Sequence, residues 1–461
     1  MPPFSPIRAG RGFQLAILLA AATWAFDRAA AGDSARPPLN VVVIVSDDQG
    51  WGDYGFMGHP HIRTPHIDRL AAESLTFTRG YVPSSLCRPS LASLVSGLHA
   101  HQHRIVGNDP QLPPELAALT AAERVRDPRW LTLRRDYAAN LDHSRTLPGL
   151  WTAEGWLAHQ SGKWWEQDWR FGRFTHGMTH GDPTRGGRHG DEGLKIGRET
   201  MRPVLDFLDE AQRASKPCLV FYAPMLPHLP QNPPERLLER FREGAPSELV
   251  ARYWAMCAWF DESVGVLLDG LDERGMRDNT LVLYVADNGW TQPESGEIPS
   301  YGGPRGKRSP YDGGLRTPIL LRWPGRIAAR REDARLASSL DVLPTVLAAA
   351  GIAAPGELPG INLLDDEALS SREAVEGAIF DHDATLPTRP AETLQFRWMV
   401  TEEWKLILPE RARAPEGRVE LFRIVEDPHE SRDLSEERPE VVRALRERLD
   451  GWWDPGASGS P

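Results

Sequence analysis

Asp47 and Asp48 stand side by side where a run of apolar, mostly β-branched residues breaks off into Gln49-Gly50, and about 240 residues later Asp287-Asn288-Gly289 repeats the arrangement. Three carboxylates and an amide gathered at neighbouring strand ends would offer hard oxygen ligands to Ca²⁺ or, as second choice, Mg²⁺. Taken singly, each aspartate reads equally well as a helix cap or a turn residue. The repetition at two strand ends is what points to a metal. A further candidate is Cys87, in Ser85-Leu86-Cys87-Arg88-Pro89-Ser90, which precedes a helix-like segment ending at Gly97. That order sets the thiol at a helix amino terminus, where the dipole and unbonded N–H groups favour an anion. The other two cysteines, Cys218 in an apolar run and Cys257 in a helical stretch, read as small buried hydrophobes. Three cysteines make no disulfide framework.

These residues need a frame to bring them together. Residues 39–46, 218–223 and 281–286 are continuous apolar runs, the pattern of strands buried on both faces in a parallel sheet. Helical patterns at 67–75, 91–98 and 248–271 alternate with them. The fold class is therefore α/β: a large, mostly parallel sheet with helices on both faces. Such sheets bind ligands at the carboxyl ends of their strands, where both acidic clusters lie. A helix at 340–351 and a Gly/Pro-containing connection at 355–364 close this first domain, residues 38–360. Strand candidates at 395–401, 405–408 and 419–424, then a charged helix at 439–453, predict a small α+β domain with an antiparallel sheet over 365–455. Residues 456–461 are a tail. At the other end, Arg8, Arg11, an apolar run at 13–22 and Ala29-Ala30-Ala31 read as a cleavable export signal, residues 1–31. Its apolar run is shorter than the ~20 residues that span a bilayer, so cleavage would leave a periplasmic or secreted protein with no membrane attachment.

With 41% hydrophobic and 25% charged residues, the 461-residue chain is globular. Its net charge of −11 opposes a phosphate backbone, which excludes nucleic acid as partner and requires that any positive charge for an anionic substrate be local. Sixteen tryptophans are present, and Trp151, Trp156, Trp164, Trp165 and Trp169 fall close together. Trp151 and Trp156 read as core, whereas Trp165 and Trp169, in a polar stretch, serve equally well as faces for sugar rings. The glycine-, arginine- and histidine-rich run 171–193 reads as an active-site loop.

Cys87-x-Pro89-Ser90, with Gly97 closing the segment, resembles the signature of the sulfatase family. Other landmarks agree in order: Asp47-Asp48-Gln49-Gly50-Trp51-Gly52-Asp53, Gly162-Lys163-Trp164, Pro227-His228, Asp287-Asn288-Gly289, and Gly306-Lys307 running on to Asp312-Gly313-Gly314 and Thr317-Pro318. Arg397-Trp398, Lys405-Leu406 and Glu420-Leu421-Phe422 extend the resemblance over 38–455. It implies an alkaline-phosphatase-like fold and a sulfuric ester hydrolase acting on a sulfated carbohydrate. A formylglycine-generating enzyme would convert Cys87 to formylglycine, whose hydrate attacks sulfur with one hydroxyl and expels sulfate with the other. Asp47, Asp48, Asp287 and Asn288, with the modified Cys87, would hold Ca²⁺. Lys163 and Lys307 would contact the sulfate, and His228 would hydrogen-bond or protonate the leaving oxygen. Two departures stand out. Leu91 replaces the family's arginine four residues after the cysteine, and Trp165 replaces its histidine two residues after the lysine. Arg88 is a candidate for the missing charge, and His101, His103, His176 or His180 for the missing base. Two other readings are a phosphate or phosphonate monoester hydrolase of the same superfamily and a non-catalytic binder of anionic glycans.

Overall fold

Six strands form the body of the main sheet: β1 (Asn40–Ser46), β2 (Leu75–Tyr81), β3 (Leu157–Gly162), β4 (Cys218–Ala223), β5 (Thr280–Ala286) and β6 (Arg316–Arg322). The computed structural model describes residues 39–456 apart from 186, 188, 300 and 385–388, so the expected signal at 1–31 and all but the first tail residue lie outside the described residues. The strand order is β2-β6-β5-β1-β4-β3, with short strands at Arg330–Glu332 and Ala337–Ser338 beside β2 and at His176–Gly177 beside β3. β1 is parallel to β5 on one side and β4 on the other, and β4 is parallel to β3. Only β6 runs antiparallel within this core, to β5 and to β2. The sheet is thus mixed and mostly parallel.

Every residue of β1, β4 and β5 is buried, which is why these strands lack polar alternation. Side chains of β1 supply two cores in turn. Val41, Val43 and Val45 pack with Leu91, Leu94 and Val95 of helix α2 (Cys87–Ser96) on one face. On the other, Val42 and Ile44 pack with Ile67 and Leu70 of α1 (Pro65–Ala72), Val204 and Phe207 of α3 (Arg202–Ala214), and Phe260 and Val264 of α4 (Glu248–Glu273). Each such aliphatic side chain contributes about 1.5–3 kcal/mol on burial. α1 stops at Ala72, short of the expected residue 75, because Leu75 already pairs with Leu321 in the sheet.

A four-stranded antiparallel sheet follows: β7 (Ala374–Phe380), β8 (Leu394–Thr401), β9 (Lys405–Pro409) and β10 (Glu420–Phe422), in sequence order. Leu445 and Leu449 of the last helix (Pro439–Trp452) pack on Met399, Leu406, Leu408 and Leu421. This sheet is tied to the main one by a buried network in which Lys405 Nζ reaches Asp312 (2.8 Å) and Glu430 (2.7 Å). Both belong to one compact unit beginning at Leu39. No helix among the described residues is long and apolar enough to cross a membrane.

Candidate active site

The central strands β1 and β5 end level with one another. Asp287 N–H donates to Ser46 O (2.8 Å), and Asp48 N–H donates to the Asp287 carboxylate (3.2 Å). Asp48 takes a left-handed conformation (φ 60°), which non-glycine residues adopt mainly where surrounding structure enforces it. Asn288 Nδ2 donates to Asp48 Oδ1 (2.7 Å), completing the predicted quartet of Asp47, Asp48, Asp287 and Asn288 at the sheet's carboxyl edge.

Two lysines reach into this cluster. Lys163 follows β3 through Gly162, whose φ is +86° and where an added Cβ would come within 1.9 Å of Ala223 O, so only glycine fits. Its Nζ donates to both Asp47 oxygens at 2.7 Å and lies 3.6 Å from Asp287. Lys307 Nζ donates to Asp48 at 2.7 and 2.9 Å. Its loop is fastened to the cysteine segment, since Arg308 N–H donates to Ser85 O and Ser85 Oγ donates to Ser309 O, both at 2.8 Å. His228 places Nε2 3.5 Å from Asp48, with Nδ1 2.6 Å from Leu229 O. Cys87 opens α2 as expected and is 1% exposed. Ligand atoms of Asp47, Asp48, Cys87 and His228 all lie within 4.8 Å of one another.

The electrostatics follow from burial. Burial pushes the Cys87 thiol up to about 12, against the pull of Lys163 and Lys307, so it stays protonated near neutrality. Burial would also raise Asp48, but Lys307, His228 and Lys163 outweigh it and hold that carboxyl at about 2. Asp287 is driven well above the usual carboxylate range by burial and then by Asp47. Burial lowers His228. Three carboxyl groups crowd against two ammonium groups in a closed space, and burial together with that crowding is what raises Asp287. Asp287 Oδ2 and Asn288 Oδ1 are buried with no hydrogen-bond partner. Orphaned oxygens beside crowded carboxylates are the signature of a hard divalent cation's ligand set, and the residues present fit one.

Arg88 does not supply the missing charge. Its guanidinium forms a bidentate pair with Glu166 (both 2.7 Å) under Tyr137 and is spent on fixing the start of α2. None of the four histidines singled out in the sequence is placed against the cluster. His103 bonds Ser93 of α2, His101 stacks on Trp453, His176 meets Glu210, and His180 borders a separate surface cavity with Phe171. The structure brings a different one in. His189 sits edge-on to Trp165 (ring centroids 4.8 Å apart) and 6.3 Å from the His228 ring. Its carbonyl accepts from Trp164 N–H (3.0 Å), and Thr179 Oγ1 donates to Gly190 O (2.9 Å) and Gly162 O (3.2 Å). At Gly190 and Gly193, an added Cβ would approach Gly162 O to 2.6 Å. This glycine contact presses the 171–193 loop onto the Lys163 turn and carries His189 to the site. Trp151, Trp164 and Trp165 are all buried, so Trp165 is a wall behind His189 and not an open sugar platform.

The sheet carries a buried cysteine, a carboxylate cluster and two lysines at its carboxyl edge, within an alkaline-phosphatase-like fold. Residues 39–352 match the family model "Sulfatase", and residues 303–452 match "N-sulphoglucosamine sulphohydrolase, C-terminal". The chain belongs to the sulfatase family and is a sulfuric ester hydrolase. It is 28% identical over 442 residues to N-acetylgalactosamine-6-sulfatase of Canis lupus familiaris, covering 87% of this chain and 78% of that protein. It is 31% identical over 378 residues to arylsulfatase A of Homo sapiens, covering 71% and 67%. Its fold is also that of BT4656, solved in complex with its substrate D-glucosamine-2-N,6-O-disulfate, with TM-score 0.69, 17% identity, and coverage of 92% and 99%.

Proposed function

We propose that this protein is an exported hydrolase that removes sulfate from a sulfated carbohydrate, with Cys87 matured to formylglycine and Ca²⁺ held by Asp47, Asp48, Asp287 and Asn288. The observation that carries the reading is the convergence of Cys87, these four ligands, Lys163, Lys307 and His228 in one buried cluster. Hydrated formylglycine would supply a geminal diol, and the cation would supply positive charge for sulfate oxygens. The chain's own residues do the remainder. Lys163 and Lys307 bring two fixed positive charges to where sulfate oxygens gain charge. Nδ1 of His228 is engaged by Leu229 O, which leaves Nε2 as the atom that passes a proton to or from the ester oxygen. His189, across from His228, is the second imidazole able to move a proton there.

A module that only bound glycans would have no use for the cysteine, both lysines and His228 together. The sulfated saccharide as substrate class is supported by the sugar-specific relatives and by the ligand of BT4656. Export rests on the leader at 1–31 and maturation on a formylglycine-generating enzyme. A screen of sulfated mono- and oligosaccharides, after co-expression with such an enzyme, tests the proposal. Turnover by the unsubstituted protein and none by Cys87→Ala is expected, and turnover that survives the substitution would overturn it.

A further inference from the structure

Arg308 follows Lys307 directly, yet the chemistry above gives its side chain no role. Its backbone is left-handed (φ 68°), and its N–H is held by Ser85 O, two residues before Cys87. The guanidinium lies over the Tyr301 ring, 4.3 Å from the centroid. Among the described residues no carboxylate pairs with it, and its Nε is buried without an acceptor. Two neighbouring arginines differ: Arg88 is neutralised by Glu166, and Arg316 lies 3.7 Å from Asp312.

The neighbours of Arg308 lead back to the cysteine. Tyr301 meets the His382 ring at 5.6 Å. His382 Nε2 lies 3.4 Å from Asn108 Nδ2, and Asn108 Oδ1 accepts the Arg88 N–H, the residue after Cys87. Arg308 and Asn108 therefore bond the backbone just before and just after Cys87, Tyr301 and His382 link them, and the guanidinium is the uncompensated charge. A half-buried cation that has given up hydration without a counter-ion is stabilised by an anion that reaches it. The planar fork of arginine suits carboxylate or sulfate, which it binds in bidentate fashion.

We propose that Arg308, backed by Tyr301 and His382, is a subsite for a second anionic group on the saccharide whose sulfate ester lies at Cys87. The substrate class is then a doubly sulfated sugar, or a sulfated sugar joined to a uronic acid. This rests on the sulfatase reading and deepens it. The test compares kcat/KM for a singly sulfated neutral sugar, the same sugar with a second sulfate, and the same sulfated sugar linked to a uronic acid. In the unsubstituted protein one doubly charged arm is preferred, and which arm it is identifies the anion. In Arg308→Ala the ratio of doubly to singly charged kcat/KM falls about ten- to a hundredfold, the worth of a charge-assisted hydrogen-bond pair, and Arg308→Lys restores part of it. A second readout needs no turnover: glucuronate binds the unsubstituted protein more tightly than glucose, and Arg308→Ala abolishes the difference. An unchanged ratio with sulfate turnover retained overturns the subsite alone. Arg308-dependent glucuronate binding without turnover of any sulfate ester overturns the sulfatase reading and leaves the subsite standing.

Discussion

Glu166→Gln removes one charge from the buried pair that anchors the start of α2. Arg88 and Glu166 are 1% and 5% exposed at their side chains and share two hydrogen bonds of 2.7 Å. Burial alone would lower the Arg88 pKa, but Glu166 outweighs it and keeps the guanidinium charged. The glutamine keeps the shape and one acceptor, but its NH₂ faces a guanidinium N–H and the cation is left uncompensated. Breaking a buried pair from one side costs about 3–5 kcal/mol. The control is Glu262→Gln, whose pair with Arg236 is 34% and 61% exposed and should cost about 0–1 kcal/mol. Urea unfolding with equal m-values reads both as midpoint shifts. Because the cost comes from the orphaned charge, Arg88→Met with Glu166→Leu should be less destabilised than Glu166→Gln alone. If Glu166→Gln and Glu262→Gln shift the midpoint equally, the pair is not the anchor inferred here.

Three further outcomes are expected. Ca²⁺ at a hundred times its Kd should stabilise the unsubstituted protein by about 2.7 kcal/mol, read as a higher melting temperature that a chelator reverses. Asp287→Asn should lose most of that gain, and an equal gain in both would argue against Asp287 as a ligand. His189→Ala should lower kcat about a hundredfold or more if the residue moves a proton in the reaction, with melting temperature little changed. A loss of only two- to threefold would assign it a packing role. Asp261 accepts the His66 and Ile67 N–H groups at the start of α1, and burial raises it to about 7 from 3.8. Its folded-state pKa lies above the unfolded one, so the stability linked to it is fully present below about pH 4 and is lost as pH rises through about 7. Urea midpoints across that range should fall for the unsubstituted protein and change less for Asp261→Asn; parallel curves would contradict the assignment.

The strands that carry Asp47, Asp48, Asp287 and Asn288 were legible because full burial writes them as unbroken apolar runs that end abruptly in these polar residues. The strand that carries Lys163 was not. β3 reads Leu-Ala-His-Gln-Ser-Gly, and two of its buried polar side chains are satisfied by backbone, Gln160 by Gly162 O and Thr179 N–H and Ser161 by Phe221 O. β6 was hidden by Pro318, which ordinarily argues against a central strand. It lies beside a bulge in β2 between Phe77 and Gly80, where an added Cβ at Gly80 would meet Thr317 O at 2.4 Å. His189 escaped notice because no local spacing links it to His228. Only the glycine packing of its loop on Gly162 brings the rings together. Arg308 carries no pattern of its own in the sequence, and the fold alone shows which neighbours it has.

The mass of the peptide containing Cys87, taken from protein co-expressed with a formylglycine-generating enzyme and active on a sulfated saccharide, tests the central claim most directly. The account predicts the aldehyde in place of the thiol despite Leu91, in proportion to the activity of the preparation. An unmodified Cys87 in a fully active preparation would contradict it.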